Sequence, residues 1–478
     1  MVDRALAMLA WALLASMFAA ALHDMSLAWD VWSYHLPFAA RIAGIVPADR
    51  FAFDPLDQAR FAGYPLLMET LQGVLWRVTG RAESANLVAF SAVPLFAWFL
   101  RRRFGVPFHF SVLALLAVPL VQIHATSCYI DLPANAAASV VVLLAADAWA
   151  RPEPPTRRTL LLAGASAAIA INSKVLMNPV VILALVAIAA RALPPLVRGL
   201  REGRGSAARR ESSRTLLAIA LALPVVFATP AKNAIAHHNP YYPEKVDVLG
   251  VHLPGAEEPY SSSPEWLEHA PRPARFAASV VEVGLRPMTS TRRWTIDQWT
   301  PPSDRGYRMG GFFGAYVLAN LALLAWRVAR ERREREVKAA ALGFAALTAL
   351  VSLMPQSHEL RYYMCWMMVL VGTNLWLAAR APRPARELGA QALAATAALA
   401  VVALVTRGGY LYPSGESFQT LVASHVDDAA LRGVRDGGRI CVRHAPWNLL
   451  WAAPFHSPRS YAVTEAEDSA TCGDAPSL

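Results

Sequence analysis

ALAMLAWALLASMFAAALHDMSLAWDVWSYHLP, residues 5–37, runs from an apolar segment, Ala5 to Leu22, interrupted by Ser16 alone, into a stretch that holds Trp29, Asp30, Tyr34, His35 and Pro37. The apolar part is close to the roughly 20 residues that carry a helix across a hydrocarbon core. The chain therefore leaves lipid and at once presents an acid, a histidine and aromatic rings. A belt of Trp and Tyr at the membrane surface accounts for the rings. It gives no role to Asp30.

The same apolar block recurs along the whole chain. Hydrophobic residues make up 55% of the 478 positions and charged residues only 17%. Spans are expected near 5–22, 84–100, 108–124, 132–149, 159–172, 175–190, 215–231, 310–327, 338–354, 361–379 and 388–406, which defines an all-α polytopic membrane protein with about 11 transmembrane helices. Segments 108–124 and 159–172 are the shortest for their task and suggest tilted or partly re-entrant passages.

Orientation follows from the basic residues. Alternate loops carry Arg101, Arg102 and Arg103; Arg151, Arg157 and Arg158; seven arginines between Arg191 and Arg214; Arg327 to Lys338; and Arg380, Arg383 and Arg386. Lys and Arg in short loops mark the cytoplasmic side, so the N-terminus is expected inside and the C-terminus outside. The net charge of +10 is then an orientation signal and not a nucleic-acid surface. Ala19 and Ala21 also resemble a signal-peptide cleavage site, and in either case the segment after them lies outside.

This topology divides the chain into a transmembrane domain, 1–406, with a first outer loop 23–83 and a long outer loop 232–309, and a small extracytoplasmic tail or domain, 407–478. In GYPLLMETLQGVLWRVTG, Leu67, Leu71, Val74 and Leu75 recur at helical spacing, as in a helix lying on the membrane surface, with Glu69 expected on its solvated face. The long loop is irregular and stiffened by Pro240, Pro243, Pro301 and Pro302, as a lid would be. Cys441 and Cys472 both fall in the tail, where a disulfide is permitted; Cys128 and Cys365 read as packing residues.

Soluble-enzyme signatures are missing: there is no Walker loop, HExxH, GxSxG or CxxC pair. His237 and His238 lack a third ligand at metal-like spacing, and Gly310, Gly311 and Gly314 read as close-packing positions. What stands out is a set of polar residues at one end of the spans: Asp30; Asp131 in HATSCYIDLPAN; Lys174 in AINSKVLMNP; Lys232 and Asn233; and His358, Glu359 and Arg361 in HELRYY. Ionisable groups near lipid are costly unless they serve a cavity or a partner, so five turns contributing acid and base to one side suggest a pocket.

WDxxxYHLP after the first span, ATSxxxDL after the third, the lone Lys of NSK, KNxxxxxNPYYP and ELRYY together resemble the GT-C superfamily of membrane glycosyltransferases. The likeness covers roughly 5–380. It is greatest to the bacterial branch similar to dolichyl-phosphate-mannose–protein mannosyltransferases and the lipid A aminoarabinose transferase. The resemblance implies that Asp30 is the first-loop acid that serves the acceptor or its proton, and that Asp131 is the second acidic position. It makes Lys174, Lys232 and Arg361 contacts for the donor phosphate, with Tyr34, His35, Asn233, His358 and Glu359 lining the substrate site. Many relatives have two adjacent acids in the first loop; here Asp30 is followed by Val31.

The implied partners are a polyprenyl-phosphate sugar donor, a glycan, lipid or protein acceptor, and the lipids of the cell inner membrane. A leaving group that is already anionic needs cations more than a general acid, and an acceptor hydroxyl needs a base. Two aspartates can share a divalent metal or work without one. The alternative from another class is a transporter or lipid flippase, which also buries charge between helices. Such proteins usually show related halves and broken helices near the midplane, whereas here the charged turns sit at span ends.

Overall fold

The computed structural model describes residues 2–202, 206–248, 250–259, 265–282, 310–406, 408–443, 445–456 and 460–466. The first helix, α1 (Val2–His23), gives way to a π-helical turn (Val31–His35) that runs into α2 (Leu36–Ile42). A two-residue strand, β1 (Phe51–Ala52), precedes α3 (Pro55–Gly63) and α4 (Leu67–Thr79). Asp54 caps α3 by accepting from the Asp57 amide at 2.8 Å, with Pro55 in the first turn. Gly80, at φ 70°, ends α4 in the left-handed conformation that glycine adopts without strain.

The bundle continues with α5 (Leu87–Phe104), α6 (Phe108–Leu116), α7 (Pro119–Ala125), α8 (Asp131–Ala150), α9 (Arg157–Ile171), α10 (Asn178–Arg201), α11 (Ala207–Val226) and α12 (Ala228–His237). After a hairpin, β2 (Val246–Val248) and β3 (Val251–Leu253), come the short α13 (Glu265–Glu268) and α14 (Arg272–Val280). Four long helices follow: α15 (Gly314–Glu331), α16 (Arg335–Leu353), α17 (Met364–Arg380) and α18 (Pro384–Val405). The C-terminal segment holds α19 (Phe418–His425), α20 (Asp428–Leu431), β4 (Arg439–Val442) and β5 (Ala462–Glu465).

Helices stand at all eleven expected places. Among the described residues seven helices are long and apolar enough to cross a membrane, or nine if two bent pairs each count as one span. The protein is thus a multi-pass membrane protein. The α6–α7 pair bends by 100°, at the segment expected to be tilted or re-entrant. Pro119 opens α7 and has no amide to continue α6. The α9 helix, 15 residues long, is shorter than a full crossing needs.

Two helices form the axis of the bundle. In both α8 and α17 the apolar window is 89% buried, against 33% for α1 and α18 at the periphery. Small residues along α8, among them Ala134, Ala138 and Ser139, let α5, α9, α10, α16 and α17 approach it closely. At Gly310 a Cβ would lie 1.8 Å from the Glu282 carbonyl, and at Gly314 one would lie 2.3 Å from the Val281 carbonyl. These glycines are packing positions.

A second core sits at the end of the bundle where α1 finishes. It combines Val31, Trp32, Leu36 and Trp76 of the first loop with Phe418, Ile440, Leu450 and Val463 of the C-terminal segment. The three strands β1, β5 and β4 form one parallel sheet, with Phe51 opposite Val463 and Ile440 opposite Val463 on the other side. The tail therefore shares its core with the first loop. Cys441 is buried in β4; its expected bridge to Cys472 falls outside the described residues, as do Pro301 and Pro302.

The environment of Glu69 on α4 is a correction. The buried face carries Met68, Glu69, Gln72, Gly73 and Trp76, while Leu71, Val74 and Val78 are exposed. Glu69, expected in solvent, is only 1% exposed. At Gly73 a Cβ would lie 2.4 Å from the Ala39 carbonyl, so α4 packs backbone-close against α2 and can do so only on this face. On a membrane-surface helix the apolar stripe faces lipid, and polar groups turn inward to meet partners.

Candidate active site

Asp30 stands at the start of the π-helical turn, and its Oδ2 accepts a hydrogen bond from Arg361 Nη1 at 2.7 Å. Arg361 comes from the 3-10 turn Leu360–Tyr363 that opens α17, 331 residues away in sequence. Its guanidinium lies 5.3 Å from the centroid of Tyr129 and 4.8 Å from that of Tyr362, so two rings confine it. The Tyr34 hydroxyl also hydrogen-bonds Asp30. Burial alone would raise the Asp30 carboxyl, but Arg361, His35 and the Tyr34 hydroxyl hold it below the ordinary carboxylate range. Asp30 is therefore anionic at neutral pH.

Asp131 is the first residue of α8, where the helix dipole favours an acid, and it pairs with Lys174 from the turn between α9 and α10. The Lys174 ammonium also sits 4.2 Å from the centroid of Tyr362. Tyr362 thus lies between the two cations. Asn135, one turn along α8, fixes this geometry. Its amide donates to the Asp131 and Arg361 carbonyls at 2.8 and 3.3 Å, and its oxygen accepts from the Cys365 amide at 2.8 Å.

Behind the acids lies His124, fully buried at the end of α7, 4.5 Å from the Tyr129 ring centroid, with no hydrogen-bond partner at either ring nitrogen. Sequence reasoning missed both His124 and Asn135. The signal for each was present in HATSCYIDLPAN: a histidine in an apolar helix, and an amide four residues after Asp131 on the same helical face.

His35, 3% exposed, bonds Glu69 Oε1 through Nδ1 at 2.8 Å. This pair ties the π-helical turn to α4. On the other side of Tyr34, the Arg60 guanidinium lies 5.5 Å from the ring centroid and bonds Glu257 at 2.7 Å and Asp57 at 3.0 Å. Tyr64 donates to Glu257 at 2.9 Å. The long loop therefore reaches the rim of the site through Glu257. Glu244, from the same loop, has its pKa pushed up to about 7 by burial and by Glu257 beside it, with Lys174 opposing.

Lys232 and Asn233 both bond backbone carbonyls. Lys232 Nζ donates to the Ala62 carbonyl at 2.5 Å, and Asn233 donates to the carbonyls of Gly63 and Tyr242 at 2.7 and 3.0 Å. Both hold the end of α3 against the Tyr241–Pro243 turn. A Cβ at Gly63 would lie 2.6 Å from the Tyr242 carbonyl, which shows how tight that seam is. His358 is buried, with Nε2 3.9 Å from the Glu359 carboxylate, next to the Arg361 turn. His237 stacks on Tyr242 at 3.8 Å.

The structure brings Asp30, Tyr34, Asp131, Lys174 and Arg361 into one electrostatic neighbourhood, at the end of the bundle opposite the arginine-rich loops. Each acid already faces its own cation, so the positive charge that a shared divalent metal would supply is supplied by Arg361 and Lys174.

A multi-pass bundle with a bent helix pair before its central helix, capped by a first-loop helical layer with acid–cation pairs at that end, is a fold found among solved structures. ArnT from Cupriavidus metallidurans, an aminoarabinose transferase, shares it: the apo structure aligns over 98% of this chain and 88% of its own at 12% identity, with a TM-score of 0.51. The structure of ArnT bound to undecaprenyl phosphate aligns over 98% and 89%, at 14% identity and the same TM-score. At this identity the likeness is one of fold. No family model matches the sequence, and no curated protein matches it.

Proposed function

We propose that this protein is a glycosyltransferase that moves a sugar from a polyprenyl-phosphate donor to an acceptor at the outer face of the membrane. The observation that carries the reading is the pair of half-buried acid–cation contacts, Asp30 with Arg361 and Asp131 with Lys174, sharing the ring of Tyr362. A purely structural core gains little from such pairs, because desolvation offsets most of their attraction. A site that must receive an anionic phosphate gains from cations held in advance. The fold shared with ArnT, one structure of which holds undecaprenyl phosphate, supports a lipid-phosphate donor.

In this proposal the acceptor hydroxyl lies against Asp30. The acceptor oxygen forms a bond to the anomeric carbon while the bond from that carbon to the phosphate oxygen breaks. The proton passes to the Asp30 carboxylate, and the electron pair of the broken bond stays on the phosphate. One in-line displacement of this kind inverts the anomeric centre. As Asp30 takes the proton it loses its charge, and Arg361 is freed to meet the charge that develops on the phosphate. Lys174, screened by Tyr362 and balanced by Asp131, is the second phosphate contact. Lys232 and Asn233 position the α3 wall. Orientation with the arginine-rich loops in the cytoplasm puts the chemistry where nucleotide sugars are absent and lipid-linked sugars can be presented.

The test combines two readouts. Mass spectrometry of envelope glycans and glycoproteins, with and without the protein, is expected to reveal one missing sugar. Purified protein given the matching lipid-linked sugar is expected to transfer it. An unchanged envelope together with donor-independent transport of a lipid across vesicles would favour a flippase and end the transferase reading.

A further inference from the structure

A separate group of acids lies where the C-terminal segment meets the first loop. Asp54 and Asp57 belong to the N-terminal turn of α3, and Glu465 ends β5. Because β1 and β5 run parallel, with Ala52 opposite Thr464, the chain leaves both strands on the same side and delivers these side chains to one point. One carboxylate oxygen from each lies within 4.8 Å of the others. Glu465 is 5% exposed; Asn448 and the Asp54 backbone hydrogen-bond its carboxylate, yet its Oε2 is left without a partner.

The charge around this point is not balanced. Arg60 bonds Asp57 at 3.0 Å, but its other nitrogens are taken by Glu257, so one guanidinium serves two acids. The nearby Arg41 donates to the Phe51 carbonyl and stacks 4.1 Å from the Phe53 ring centroid. A buried carboxylate oxygen without a partner is costly, and a second and third acid beside it make it costlier. A bound cation removes both penalties.

We propose that Asp54, Asp57 and Glu465 form a calcium site that fastens the C-terminal segment to the first outer loop. The donors are all oxygens, which suits a hard cation and not zinc. Calcium accepts several carboxylates in a flexible shell, whereas magnesium usually keeps most of its waters and takes one or two carboxylates, so three convergent acids favour calcium. The site is independent of the transferase reading, since none of its three ligands contacts Asp30, Asp131, Lys174 or Arg361 in the ion pairs described.

Full-length protein in detergent, stripped with EDTA and desalted, is titrated with calcium chloride by calorimetry, with thermal melting in parallel. One saturable ion and a rise in melting temperature are expected, with a smaller rise for magnesium chloride at the same concentration. Glu465→Gln and Asp57→Asn each lose about 100-fold in calcium affinity, at or beyond the upper end of what outer-shell changes cost, and lose the thermal shift. Should Glu465→Gln fail to fold, Asp54→Asn, at the partly exposed ligand, gives the same loss. Asp30→Asn keeps calcium binding. Absence of saturable binding, or wild-type affinity in the Asp57 and Glu465 variants, overturns the site.

Discussion

The two ends of the bundle both bury ion pairs, but they bury them differently. At the arginine-rich end Asp147 is held by two cations, Arg103 and Arg151, and Arg327 is held by two acids, Glu331 and Glu387. At the opposite end each acid has one cation: Asp30 has Arg361 and Asp131 has Lys174. The first arrangement saturates its central charge and locks helices together. The second leaves each partner with unused capacity and surrounds it with tyrosines. Ion pairs alone therefore do not identify a site; their stoichiometry and walls do.

Amide substitutions separate the two ends. Asp30→Asn keeps size and part of the hydrogen bonding but cannot take a proton, so transfer is expected to fall about 10²–10⁴-fold with melting little changed. Asp147→Asn, in contrast, is expected to cost about 1.5–3 kcal/mol of stability with the rate per folded molecule retained. Activity assays beside thermal melts check both. Equal behaviour of the two variants would break the comparison.

A pH measurement sharpens it. The folded pKa of Glu244, about 7, lies above the ordinary glutamate value of 4.5. The native state therefore binds the extra proton. Its contribution is favourable at low pH and is lost as pH rises from about 4.5 through about 7. Glu244→Gln removes that loss, so the variant is expected to match wild type near pH 5 and to exceed it by about 1–2 kcal/mol near pH 8. A constant difference across this window would remove the electrostatic account of the loop over Lys174. The smallest effect is expected at Lys232→Ala, where one hydrogen bond to the Ala62 carbonyl is lost at about 0.5–1 kcal/mol and the site acids are untouched.

Much of this was legible in the sequence. Apolar blocks gave the helices because length and hydrophobicity act locally, and the turns holding Asp30, Asp131, Lys174 and Arg361 could be assigned to one end by span parity. Which acid meets which cation could not be read, since the Asp30–Arg361 contact joins residues 331 apart. Glu69 was placed in solvent because the polar side of a membrane-surface helix can meet either water or a further layer of protein. Glu69 and His35 went unpaired for that reason. The parallel sheet was invisible, as a strand of two residues at Phe51–Ala52 carries no alternation. The hydrogen bond of Lys232 to the Ala62 carbonyl could not be read either, since composition does not show which backbone a lysine meets.

The central claim is that Lys174 and Arg361 hold a lipid phosphate. Equilibrium binding of undecaprenyl phosphate to the purified protein, without any turnover, tests it most directly. Saturable binding is expected for wild type and for Asp147→Asn. Lys174→Ala is expected to weaken it by about 1–3 kcal/mol, roughly 5–150-fold, as for a lost charge-assisted hydrogen bond. Undiminished affinity in both Lys174→Ala and Arg361→Ala would contradict the account.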